Sequence, residues 1–237
     1  MEVIAIHCNQ CRERYCTQKV SIFAGLSVDE NAEVHGLIQR LSFKKGELLA
    51  LDGQPYDRLM IVHGGRLKAY RDTADGKQQI LHLFGPGDFL GERSLFTETN
   101  SAYTVEALTD VAVCTIPSIA FQELLDDYPS IAKKILETLS DRLSHMERTI
   151  ESMGAKTIDK RVSAVLVDFT EKFGKWQGDQ YELELPLNRE GIANYIGLTR
   201  ETVTRKMKRL ERDGLIRAVG NKKIEILDWK ALRDSGE

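Results

Sequence analysis

The sequence predicts an α+β protein: an N-terminal antiparallel β-roll, then a long helix, then two short helices followed by a hairpin. Three observations predict it. Between Leu41 and Pro117, short apolar segments alternate with glycine-rich turns, the pattern of many short strands. Between Ser118 and Met153, apolar residues recur at helical spacing. Between Leu187 and Lys223 lie helix-capping residues, a turn glycine and a run of cations.

The 237 residues suffice for one large domain or two modest ones, and 42% apolar with 29% charged residues suits a soluble globular chain. No apolar run reaches the roughly 20 residues needed to span a bilayer, and the start, "MEVIAIHCNQC", lacks the basic region of a secretory signal. A cytoplasmic protein without a membrane partner is therefore expected. The net charge of −3 conceals an asymmetry. Residues 187–223 hold ten Lys and Arg against four acids, a local +6 that leaves −9 elsewhere. An acidic body with a basic end suits a protein that touches a polyanion with that end.

Cys8, Cys11 and Cys16 fall within "CNQCRERYC", and the fourth cysteine, Cys114, lies in "VAVCTIP". A reducing cytosol disfavours structural disulfides. Close thiols there are metal or cluster ligands, redox switches, or residues without a shared role. The residues alone leave all three readings open.

After a short helical stretch over residues 20 to about 40, strands are expected at "ELLAL", "RLMIVH", "RLKAYR", "QQILHLF", "AYTVEAL" and "VAVCTI". Pro129-Ser130 reads as a helix start, with Pro in the first turn. Leu136, Leu139, Leu143, Met146, Ile150 and Met153 then recur at spacings 3, 4, 3, 4, 3, an a/d seam with charges outside it. So narrow a seam suits a partner helix, hence a homodimer. Gly154 is expected to close the helix, "TIDKRVSAVLVDFTEKFG" to form a second one, and "KWQGDQ" at 175–180 to be a polar loop.

Asn188 is placed to cap a helix running to Ile196, Gly197 to make the turn, and Thr199 to cap a second helix from Arg200 to Arg212. "GLIRAVGNKKIEIL" reads as a hairpin turning at Gly220-Asn221. Two helices plus a hairpin make a winged helix-turn-helix, whose second helix enters a DNA major groove. On that helix Arg200, Glu201, Thr204 and Arg205 occupy the first turn and a half. Arginine donates twice to guanine, and glutamate accepts from cytosine N4. Lys206, Lys208 and Arg209 are expected to meet phosphates.

Taken in order, these parts resemble the CRP/FNR family of bacterial transcription regulators over essentially the whole chain, most closely its oxygen-sensing FNR branch. "AIHCNQC" is similar to that branch's N-terminal cysteine motif, and "EALTDVAVCTIP" to the segment holding its fourth ligand. The resemblance implies that Cys8, Cys11, Cys16 and Cys114 hold a [4Fe–4S] cluster, that oxygen converts it, and that the DNA-competent dimer is then lost. It also implies double-stranded DNA and RNA polymerase as partners. Its division would be a cysteine-rich cluster-binding segment at 1–20, a cyclic-nucleotide-binding-like β-roll at 21–120, a dimerisation helix at 121–156 and the DNA-binding domain at 157–237. The alternative is the same kind of regulator switched by a thiol/disulfide pair, zinc or a small-molecule effector.

This chain departs from the branch in places. Cys11 and Cys16 stand one residue closer, Arg12 replaces a small serine, and Arg142 and Met146 replace acids on the seam helix. Dimerisation of the cluster-free chain is accordingly expected to be easier. "GDFLGERSLF" resembles a cyclic-nucleotide phosphate cassette with Gly91 and Glu92 retained, but the cassette's arginine–serine pair reads Asn100-Ser101. Without that arginine the phosphate lacks its bidentate partner, so cyclic nucleotide is not an expected ligand. "TRETVTR" resembles the family's R-E-x-x-x-R triad and implies a palindrome of TGTGA-like half-sites one helical turn apart. No Ser/His/Asp set, Walker loop or H-E-x-x-H motif is present, and His7, His35, His63, His82 and His145 are scattered, so no enzyme is expected.

Overall fold

The structure is a computed structural model that describes residues 20–74, 76–96, 100–155, 158–178, 180–220 and 222–236. These form two compact units, one of residues up to Arg71 with Leu81–Leu143, the other of Asp72–Ile80 with Ser144 onward.

The first unit begins with a 3₁₀ turn at Ser21–Phe23 and helix α1 at Val28–Leu37. Ser27 caps α1 reciprocally with Glu30, satisfying amides at its start. Eight strands follow: β1 (Gln39–Phe43), β2 (Leu48–Ala50), β3 (Arg58–Gly64), β4 (Leu67–Asp72), β5 (Gln78–Phe84), β6 (Phe89–Leu90), β7 (Thr104–Ala107) and β8 (Val111–Pro117). They pair as two four-stranded sheets, β1-β8-β3-β6 and β2-β7-β4-β5. The one-turn helix α2 (Arg93–Phe96) lies between β6 and β7.

The near-continuous apolar runs of β3 and β8 have a simple cause: both faces of their sheet are covered. Leu59 and Ile61 on β3, with Cys114 and Ile116 on β8, enter one core cluster together with Ile22, Phe23, Phe121, Ile131 and Ile135. Met60, Val62, Val111 and Val113, the alternate positions, enter a second cluster with Leu67, Phe84, Leu90 and Val105. β1 and β6 escape sequence reading because one is largely polar and the other spans two residues.

Helix α3 (Ser118–Asp127) stops at Tyr128, and α4 (Pro129–Ala155) starts at the proline. α4 runs through Gly154, expected to close it, to Ala155. α5 (Ile158–Phe173) opens the helical part of the second unit. The stretch expected as a polar loop is a hairpin, β9 (Lys175–Gln177) and β10 (Gln180–Glu184), turning at Gly178 with φ 61°. All three β9 residues are exposed, so no alternation marks the strand. Trp176 nonetheless packs on Tyr181 at 4.6 Å, and Tyr181 on Trp229 at 5.1 Å. Then come α6 (Arg189–Ile196), α7 (Arg200–Arg212), β11 (Ile216–Val219), β12 (Lys223–Ile226) and α8 (Trp229–Asp234). The sheet order here is β11-β12-β10-β9. Among the described residues no helix is long and apolar enough to cross a membrane.

Candidate functional site

The two-helix corner is built as its residues dictate. Asn188 accepts from the Gly191 amide at 2.8 Å to start α6. Gly197 ends it in the left-handed conformation, φ 66°, where a side chain would be strained. Thr199 accepts from the Thr202 amide at 3.3 Å to start α7. Ile192, Ala193, Ile196, Val203, Met207 and Leu210 are all buried and fix the angle between the two helices.

That packing turns the polar face of α7 outward. Arg200, Glu201, Arg205, Lys208 and Arg209 are exposed, and Thr204 is half-buried. They line one side of a cleft with Thr202, Lys206 and Arg212; Asp159, from the start of α5, lines the other. Thr204 Oγ1 donates to the Arg200 carbonyl at 2.8 Å, so toward a base it is left as an acceptor. Lys206 departs from the expected row of phosphate contacts: its side chain is only 10% exposed, and Nζ lies 3.6 Å from Asp159 Oδ1. Arg209 Nη1 donates to Asp159 Oδ2 at 3.0 Å.

Asp159 was not among the expected site residues. Sequence distance hid it, 41 positions before Arg200 and outside the basic stretch at 187–223. In the hairpin after α7, Arg217 pairs with Glu225, and Lys223 Nζ donates to Glu182 at 2.8 Å. That bond, before the charge of Glu182 itself, raises the Lys223 pKa.

Cys114 lies in the middle of β8, opposite Arg40 of β1 and Ile61 of β3. Its side chain is buried, in the cluster that also contains Val20, Ile22 and Phe23. Cys8, Cys11 and Cys16 lie outside the described residues; Val20, where description begins, is four positions past Cys16. Among the described residues no group of three His, Cys, Asp or Glu could hold a metal ion.

The α4 seam divides. Leu136, Leu143 and Met146 are exposed large apolar residues, at 66%, 57% and 44%. Leu139 instead packs partly against the protein's own core, beside the buried Ile131 and Ile135. The side chains of Ile150 and Met153 lie outside the described residues.

Arg142, expected on the seam helix in place of an acid, reaches into the β-roll. Nη1 lies 3.3 Å from Glu92 Oε1, and Nη2 donates to the Phe89 carbonyl at 2.5 Å. Nearby, burial pushes the Tyr56 and Tyr103 phenols far above the ordinary tyrosine range.

A two-sheet roll, a long helix with an apolar face and a capped helix pair presenting cations define a DNA-binding transcription regulator. Residues 40–128 match the cyclic nucleotide-binding domain, and residues 160–235 match the Crp-like helix-turn-helix domain. The chain is 31% identical over 219 residues to a probable transcriptional regulator, flp, of Lacticaseibacillus casei, covering 92% of this chain and 97% of that one. It is 29% identical to the transcriptional activator protein anr of Pseudomonas aeruginosa, covering 94% and 89%. A CRP/FNR-family regulator from Thermus thermophilus superposes with a TM-score of 0.68 at 29% identity, covering 83% and 97%. The chain belongs to the CRP/FNR family of transcription regulators and is not an enzyme.

Proposed function

We propose that this regulator responds to oxygen through a [4Fe–4S] cluster held by Cys8, Cys11, Cys16 and Cys114, and binds a palindromic operator of TGTGA-like half-sites as a homodimer. One observation carries the reading. Cys114 is buried in the same cluster as Val20, Ile22 and Phe23, the residues that directly follow the three-cysteine segment. In the sequence, Cys16 precedes Val20 by four positions, and Cys8 and Cys11 precede Cys16 within the same short segment.

The donor set fits the group. Four thiolates complete a four-iron cluster, one per iron, and such a cluster supplies oxygen-sensitive redox chemistry. The rest belongs to this chain's residues. Phe23 packs at a tilt against Phe121 of α3 with centroids 6.4 Å apart, and the same core holds Ile131 and Ile135 of α4. A change that loosens the segment before Val20 therefore bears on the helix carrying Leu136, Leu143 and Met146, a packed route to a two-state interface. The operator-bound dimer would then act on RNA polymerase.

The test is to purify the protein without oxygen and measure iron, sulfide, visible spectrum and operator binding before and after air. About four irons per chain, bleaching in air and a matching loss of operator binding are expected. Iron-free protein that still binds the operator would move the switch to zinc, a thiol pair or a small ligand. A Cys114→Ala variant that keeps a full cluster would remove the fourth ligand.

A further inference from the structure

We propose that the β-roll contains a guanidinium-binding site and that the chain fills it with its own Arg142. Four contacts converge on that side chain. Nη1 lies 3.3 Å from Glu92 Oε1, and Nη2 donates to the Phe89 carbonyl at 2.5 Å. The guanidinium carbon stands 4.5 Å from the Phe89 ring centroid and 5.6 Å from that of Phe84. A carboxylate and a carbonyl at the edge, with ring faces against the plane, match a flat, delocalised cation. A lysine ammonium, a compact and strongly hydrated charge, would leave the planar contacts unmade.

The site is built into the fold. The Glu92 side chain is 12% exposed and that of Arg142 21%, so neither charge is well hydrated. Glu92 Oε2 has no hydrogen-bond partner among the described residues, and the contact of Arg142 with Oε1 compensates the charge of this carboxylate. The backbone before Glu92 is pinned: Gly91 has φ +88°, and a Cβ there would fall 2.3 Å from the Arg58 carbonyl oxygen. Glu92 is thus presented by a tight corner that has little room to move.

The consequence concerns α4. Arg142 fastens one turn of the helix to the roll while its neighbour Leu143 points to solvent. A roll of the cyclic nucleotide-binding type is closed here over a side chain of its own, and the seam is held in place without a small effector. That consequence rests on the dimer reading above; the guanidinium site does not.

The experiment uses full-length Arg142→Ala protein and methylguanidinium, with methylammonium as a control of equal charge. Titration calorimetry should show methylguanidinium binding Arg142→Ala at least about tenfold tighter than wild type, the scale of one charge-assisted bond. Adding Glu92→Gln should abolish the gain, and methylammonium should not reproduce it. Amide exchange over residues 139–143 should quicken in Arg142→Ala and slow again with methylguanidinium. Equal binding by wild type and Arg142→Ala, or indifference to Glu92→Gln, would overturn the site. Should Arg142→Ala not fold, Arg142→Lys and Glu92→Gln must each quicken exchange over that same turn, and unchanged exchange overturns the proposal. Unchanged operator binding by Arg142→Ala, with methylguanidinium binding as expected, would instead count against the consequence for the seam alone.

Discussion

Asp159 Oδ2 accepts a hydrogen bond from Arg209 Nη1 at 3.0 Å, while its Oδ1 lies 3.6 Å from Lys206 Nζ. An acid from the start of α5 thus stands in the cationic cleft and draws on two of the α7 charges. Asp159 and Arg209 are about half exposed, so the pair itself contributes little to stability, on the order of 0–1 kcal/mol. Its effect falls on DNA. A phosphate arriving at Arg209 must displace the carboxylate and then sit beside it. Asp159→Asn is expected to tighten binding to operator and unrelated DNA alike, and to steepen the salt dependence by about one unit. Glu171→Gln, the same charge change on an exposed position three turns along α5, should do neither. Fluorescence anisotropy across a salt series measures both. Weaker binding in Asp159→Asn would mean that the acid orients Arg209 for DNA rather than competing with it.

Arg200 is the side chain proposed to contact a base. It is exposed at the capped start of α7 and outside the Asp159 pairs. Arg200→Ala should cost about 1–3 kcal/mol on a TGTGA palindrome and less on one whose guanine is replaced. Lys208→Ala should weaken both sequences equally. Competition binding of a TGTGA palindrome against a TTGAT one decides it, since unchanged discrimination would remove Arg200 from base reading.

Leu143, 57% exposed, should hold a dimer and contribute nothing to the folded monomer. Leu143→Glu is expected to shift sedimentation from dimer to monomer with the melting temperature of the monomer unchanged. Leu139 should behave differently, because it also packs on the chain's own core. Leu139→Ala should lose stability as well as dimer, by less than the roughly 2–5 kcal/mol of a fully buried large-to-small change, since Leu139 is only partly buried. Equal effects of the two changes would contradict this division of the seam.

The helices and most strands were legible because their signals are local. Asn188, Gly197 and Thr199 announce the α6–α7 corner in twelve consecutive residues, and the structure uses each of them for the role its chemistry suggests. β9 was not legible, since a three-residue strand with every side chain exposed carries no alternation. Nor were Asp159 and Glu92 as partners of Arg209 and Arg142. Each pair spans 50 positions, and only folding brings such residues together. Arg142 shows the limit most clearly. At the sequence level it is one more charge beside an apolar seam; in the fold it faces the roll, because Phe84, Phe89 and Glu92 make a better environment than water for a flat cation.

Tyr128 offers a pH-dependent test of how α1 is held. Its phenol donates to Glu33 Oε2 at 2.5 Å, joining α1 to the point where α3 gives way to α4. This hydrogen bond first, then desolvation, pushes the Tyr128 pKa up to about 12. An unfolded tyrosine titrates near 10. A pKa raised by folding means that the neutral phenol is the form the native state favours. The contribution is therefore complete below about pH 10 and fades as pH rises through about 12. Tyr128→Phe removes the donor at every pH. Urea unfolding should find the variant less stable than wild type at pH 8, with the difference shrinking above pH 10. Tyrosinate absorbance should lose a step near pH 12 in Tyr128→Phe. A lost step near pH 10 instead would show that the Tyr128–Glu33 bond does not form in solution, and that α1 is held by Val34 and its core contacts alone.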